Sequence, residues 1–146
     1  MRTIGCVLAL CWASSVYALQ RPISNGALCA RSERVVVGEV TGLESMFSAD
    51  GSGRIETWAD IAVLRTLRGD EGETSLRVVL PGGTAGGLRL TVEHTPKLQT
   101  DQTYLLLLSP RSEGGGWRIN GGEAGALPVQ SVDTVSLVQL GGCHGP

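Results

Sequence analysis

Four cysteines, two histidines and fourteen carboxylates are the side chains of this 146-residue chain best suited to bind a metal or move a proton. Their spacing decides which chemistry is open to them. A structural zinc site needs close-spaced ligand pairs. Cys143 and His144 are adjacent, but Cys29, Glu93 and His94 lie far from them and scattered, so no metal or other cofactor is expected. Nucleophilic catalysis needs a hydroxyl or thiol beside a base. No G-x-S-x-G elbow occurs, and Thr95 beside His94, or Ser131 near Asp133, fall in turn segments. A hydrolytic carboxylate pair would have to recruit acids such as Asp60 and Glu123. Asp60, inside a strand pattern beside Trp58, reads as an outward, solvated acid. The run GGTAGG at 82–87 invites a phosphate reading, but Leu88 stands where a P-loop needs its lysine and no helix follows. It reads as a wide hairpin loop with positive φ angles. No catalytic residue is identified, and the chain is expected not to be an enzyme.

Two of the cysteines, Cys6 and Cys11, belong to the opening segment MRTIGCVLALCWASSVYA. Arg2 supplies a positive start, 4–13 an apolar stretch, and Val16-Tyr17-Ala18 a cleavage site before Leu19. Residues 1–18 are therefore expected to be a secretory signal peptide. The apolar run is shorter than the roughly 20 residues a bilayer span needs. The expected location is secreted, periplasmic or cell-envelope, with no stable membrane insertion after cleavage. Cys29 and Cys143 remain, and an even pair in an oxidising compartment is expected to form one disulfide. It would close a loop of more than a hundred residues and stabilise by roughly 4 kcal/mol in the chain-entropy model.

Without the signal the chain keeps eleven basic and fourteen acidic residues, a net charge of −3. Such a chain has no attraction for phosphate backbones and no polybasic handle for anionic lipid. Its aromatics are only Phe47, Trp58, Tyr104 and Trp117. Nucleic-acid binding, which needs a basic groove and stacking aromatics, is not expected. Sugar binding lacks the same aromatics.

The elements that must carry these residues are strands. Residues 19–34 form an N-terminal arm, irregular over 19–28 and with a short helical turn over 30–34. Residues 35–47, VVVGEVTGLESMF, begin with β-branched residues. Gly38 and Gly42 inside that strand mark bulges or bends. The Asp-Gly chemistry of 48–53 makes a hairpin loop into a second strand, 55–67, whose apolar phase slips at Leu64 and Leu67, again a bulge signal. Further strands are expected at 75–80, 88–93, 104–108, 117–120, 126–130 and 135–140. In 88–93, Leu88, Leu90 and Val92 are expected to face the core. Residues 104–108, YLLLL, are apolar throughout, as a strand covered on both faces would be. About eight strands with no long helix predict one all-β domain over 35–140, followed by a tail at 141–146. The glycine-bent early strands favour a small closed or partly open barrel of the OB type. An immunoglobulin-like β-sandwich is the runner-up, weakened because the cysteines lie at the chain ends.

The ordered pattern VVVGEV, ADIAVLRTLRGD, LRVVLPGGTAGG, TPKL…DQTYLLLLSP, GGWRINGGEAGALPV resembles a group of small exported bacterial domains. The likeness spans roughly 35–129 and rests on glycines and strand cores rather than catalytic residues. Such domains are similar to OB-like barrels of the tissue-inhibitor-of-metalloproteinase and netrin type. They occur alone or beside secreted matrixin-type metalloproteases. The resemblance implies a protein-binding, protease-associated or inhibitory role. The protease motif H-E-x-x-H is absent from this chain, and Cys29 stands ten residues after Leu19, whereas the inhibitors chelate zinc through an N-terminal cysteine. The expected function is a secreted, non-catalytic interaction module whose partner is a secreted protease or other extracellular protein. A small hydrolase or a structural envelope component are the alternatives. The candidate contact surfaces are the loops 48–53, 81–87 and 111–116, represented by Asp50, Gly51, Gly83, Thr84, Ala85, Glu113 and Gly114, because binding rides on loops held by a rigid scaffold.

Overall fold

The computed structural model describes residues 25–132. In chain order it contains α1 (Asn25–Arg31), β1 (Arg34–Phe47), β2 (Ile55–Arg68), β3 (Ser75–Pro81), β4 (Gly83–Ala85), β5 (Leu88–Leu90), β6 (Thr103–Pro110), β7 (Trp117–Ile119), a 3-10 turn (Gly122–Gly125) and β8 (Ala126–Pro128). The signal segment 1–18, the strand expected at 135–140 and the tail with Cys143 lie outside the described residues.

β1, β2, β3, β7 and β6 are hydrogen-bonded in that order, and β6 returns to pair with β1, closing a five-stranded barrel. β3 and β7 run parallel, meeting where Val78 lies opposite Trp117; the other pairings are antiparallel. This closure is OB-like and replaces the sandwich alternative, which requires two separate sheets. β8 pairs with β6, and β4 and β5 form a separate small hairpin.

The local physics follows the residue types. Val36 and Val40 on β1 face inward with Ile61, Leu76, Val78, Leu80, Tyr104, Leu106 and Leu108, and these residues fill the barrel. The alternate residues Val35, Val37, Leu105 and Leu107 face outward, where Leu28 and Cys29 of α1 cover them. β1 and β6 are therefore apolar on both faces, as the unbroken run 104–108 requires. The long strands bend at bulges. Arg68 pairs with Val35 and Thr66 with Val36, which skips Leu67; Arg65 and Val63 likewise skip Leu64. Thr41 is skipped just before Gly42. These are the positions where the apolar phase slips or a glycine interrupts the strand, and each bulge adds twist that lets a short sheet close.

Three expectations fail. The N-terminal arm is not irregular at 25–28: α1 begins at Asn25, earlier than the expected turn, because Leu28 and Cys29 find an apolar surface on β1 and β6 to cover. Residues 88–93 are not a core strand. Only Leu88–Leu90 is extended, and all three residues are exposed. After Pro81 the chain leaves the barrel and turns back through Gly86 and Gly87, whose φ angles of 56° and 77° suit a two-residue hairpin turn rather than a wide loop. β5 then pairs only with β4, so the apolar side of the alternation meets no core.

Candidate functional site

β1 runs on past Glu39, its last pairing with β6, and forms a three-stranded ribbon with β2 and β3: Leu43 lies opposite Ala59, Ser45 opposite Thr57 and Phe47 opposite Ile55, while Thr57 and Ala59 face Leu80 and Val78 on the other side. Successive side chains point to opposite faces. The ribbon therefore has an outer face carrying Glu56, Trp58 and Asp60, and an inner face carrying Leu43, Ser45 and Thr57. A cavity lies against each.

The outer cavity, about 370 Å³, lies between the loop leaving β1 and the loop between β6 and β7. Met46, Phe47, Asp50, Arg54, Glu56, Trp58, Arg111, Glu113 and Gly114 line it. Trp58 is half-buried, and the guanidinium carbons of Arg77 and Arg111 stand 5.3 and 5.8 Å from its ring centroid. Such cation–π contacts are each worth about 0.5–1 kcal/mol at exposed sites. Both arginines are also tied to carboxylates: Arg77 to Asp60 at 2.9 Å and Arg111 to Glu56 at 3.0 Å. The indole is thus framed by two anchored cations, which fixes its orientation. Asp60 is exposed, as expected of an outward strand acid, and committed to Arg77.

Asp50 organises the neighbouring loop. Its carboxylate accepts the Ser52 backbone N–H at 2.9 Å and pairs with Arg54. Hydrogen bonds from Ser52, then from Arg54, hold its carboxyl well below the usual carboxylate range, and Asp50 in turn raises the Arg54 guanidinium above its ordinary value.

The inner cleft, about 350 Å³, is walled by Leu43, Leu80, Leu90, Val92, Pro96 and Leu98. Gly83 makes it possible for β4 to lie on the ribbon: any Cβ there would run into the hydroxyls of Ser45 and Thr57, which are hydrogen-bonded to each other at 2.8 Å. Thr57 also donates to the Gly82 carbonyl at 2.7 Å.

The expected contact residues therefore divide. Asp50, Glu113 and Gly114 meet at the outer cavity. Gly51 is exposed at the tip of its loop. Gly83 and Thr84 line the inner cleft instead, and Ala85 ends β4 beside the turn. Cys29 is fully buried where α1 packs on β1 and β6, while its expected partner Cys143 lies outside the described residues, as do His144 and Asp133. His94 and Glu93 are exposed, and Glu123 sits on the 3-10 turn that packs on β6 and β8, away from Asp60 on β2. Among the described residues no three His, Cys, Asp or Glu side chains gather as a metal would require. The sequence reading missed Arg111, Arg77 and Glu56. The outward alternation Glu56-Trp58-Asp60 was the signal available for that face; the arginines come from distant segments. No protein-family model matches the chain, and no curated protein matches it significantly.

Proposed function

We propose that the chain is a secreted, non-catalytic binding module that engages a protein partner through the face around Trp58. The observation that carries this reading is the indole framed by Arg77 and Arg111 on the floor of a cavity walled by two loops. In OB-type barrels the face of the second and third strands, with its flanking loops, is where ligands sit. Tryptophan and arginine dominate the energetics of protein interfaces, and side chains already held in place lose little entropy on binding. Both signs of charge are present, with Asp50, Glu56, Asp60 and Glu113 interspersed among Arg54, Arg77 and Arg111. That mixture suits a protein surface better than a polyanion. The likeness to metalloproteinase-inhibitor and netrin barrels supports a secreted protease as the partner class, with inhibition as a special case. The signal-like residues 1–18 support export.

The test uses the mature protein on a sensor surface against a panel of secreted zinc metalloproteases, measuring both binding and residual protease activity. Trp58→Ala is expected to weaken a captured protease by about thirtyfold, the size of an interface hot spot. Leu88→Arg, on the hairpin outside the outer cavity, is expected to leave it unchanged. Protease binding that survives both Trp58→Ala and Arg111→Ala overturns the assignment of this face.

A further inference from the structure

The inner cleft is independent of the Trp58 face, and its chemistry is of a different kind. Its walls are aliphatic: Leu43 and Leu90 at the opening, Leu80 and Leu98 continuous with the barrel core. Its volume of about 350 Å³ falls in the lower part of the range that small-molecule sites occupy. At roughly 30 Å³ per water-sized group, it has room for on the order of ten heavy atoms. Its rim carries Arg89 and Lys97, and among the described residues no carboxylate lines it, in a chain where acids outnumber bases. Among the described residues neither cation has an ion-pair partner. Thr95 also lines the cleft, and among the described residues its buried Oγ1 has no hydrogen-bond partner. A buried hydroxyl without a partner is costly and uncommon, and such a group calls for an explanation in each native structure where it occurs.

We infer that this cleft binds a small anionic amphiphile: an aliphatic chain of medium length ending in a carboxylate. The chain lies against Leu43, Leu80, Leu90 and Leu98 and displaces water from apolar wall. The carboxylate lies at the rim, where Arg89 and Lys97 supply charge, and rotation of the Thr95 side chain brings its buried hydroxyl out to donate to one of the carboxylate oxygens. The exposed leucines of the β4–β5 hairpin then have a role. Leu90 and Val92 form one wall of a site, where a core position was expected from their alternation. Leu88, 62% exposed, lies outside it.

The experiment is an amide-resolved NMR titration of the mature protein with decanoate, decyltrimethylammonium and a short acetylated leucine–valine peptide, all below micelle-forming concentrations. Decanoate is expected to bind one to one and to move the resonances of residues 80–83 and 90–98. The ammonium amphiphile is expected to bind about fivefold more weakly, the scale of exposed charge pairs. Arg89→Glu with Lys97→Glu is expected to abolish or reverse that preference. Thr95→Val is expected to weaken decanoate about threefold, as loss of one hydrogen bond does. Leu90→Arg is expected to block binding, while Leu88→Arg preserves it; both are exposed positions, and an unchanged melting temperature confirms that each variant is folded. The inference is overturned by cleft resonances that decanoate does not move, by equal affinity for both head groups, or by shifts centred on Trp58. Binding of the peptide without binding of decanoate assigns the cleft to a protein segment and overturns it equally.

Discussion

The two ends of the barrel are finished in opposite ways. β1 and β3 both run antiparallel to β2, so Arg34, which starts β1, and Leu80, which nearly ends β3, lie at opposite ends. At the first end Arg34 closes the barrel. It is 2% exposed, its guanidinium pairs with Glu73 and donates to the Asp70 carbonyl at 2.7 Å, and it lies 5.6 Å from the Trp117 ring centroid. Nearby, α1 is tied down by Arg68, which donates to the Cys29 carbonyl at 2.7 Å, and by Ser32, whose hydroxyl receives Asn120 at 2.9 Å. At the second end the described residues include no such plug. Leu80 and Leu98 look out into the inner cleft, and the β4–β5 hairpin stands beside the opening without filling it. A protein that seals one end with charge and aromatic packing has the means to seal both. The contrast teaches that the apolar opening follows from the path of the hairpin, which is where a ligand site belongs.

The largest expected effect concerns the sealed end. If Cys29 is bridged to Cys143, reduction lowers stability by roughly 4 kcal/mol, read as a large fall in melting temperature. Decanoate affinity, measured where the reduced protein is still folded, stays unchanged because the bridge serves the end remote from the cleft. An unchanged melting temperature removes the bridge; a lost affinity breaks the independence of the two ends.

Next in size is the ion pair of the plug. Glu73 is 46% exposed and looks expendable. Its removal leaves the Arg34 charge buried with only a carbonyl and a ring beside it, so Glu73→Ala is expected to cost roughly 2–3 kcal/mol. Asp60→Ala breaks an ion pair exposed on both sides and is expected to cost under about 1 kcal/mol. Denaturant melts of the two variants compare them directly, and equal costs would mean that Arg34 is no plug.

At the open end the comparison is between two leucines of the same cleft. Leu98 is 8% exposed and belongs to the core, so Leu98→Ala is expected to cost about 2 kcal/mol. Leu90 is 38% exposed, and Leu90→Ala is expected to cost under about 1 kcal/mol while weakening decanoate. Comparable losses of stability would show that Leu90 is a structural wall rather than a ligand wall.

These contrasts mark how far the sequence could be read. The bulges at Leu64 and Leu67 were legible because a register slip moves apolar residues to the wrong phase. The doubly covered β6 was legible because 104–108 contains no polar residue. Leu88, Leu90 and Val92 misled because alternation reports that one face is apolar and not what covers it. Arg34 was invisible: an arginine before a valine run looks like a solvated strand start, and its partner lies 39 residues away. The outer face was half legible. Trp58 and Asp60 stood out locally, and the loops of Asp50 and Glu113 were named, but Arg111 reaches Glu56 across 55 residues. Thr95 carried no signal, since its significance is a partner it lacks.

The smallest effect tests whether the open end is rigid where the outer cavity begins. Asp50 is held below the ordinary carboxylate value by Ser52 and Arg54. A group depressed in this way contributes stability above its unfolded pKa, near 3.9 for aspartate, and loses that contribution as pH falls through its folded value. Asp50 is therefore expected to remain ionised at about pH 3, where an ordinary aspartate is mostly protonated, and a carboxyl-carbon NMR titration reads this directly. Because the loop is exposed, global melting barely responds to Asp50→Asn. What changes is the loop itself: without the charge, Arg54 is released, and amide exchange at 50–54 quickens while that of β1 and β2 does not. If Asp50 titrates near the ordinary value, the loop is not preorganised, and the wall it offers to a partner at the Trp58 face has to form on binding.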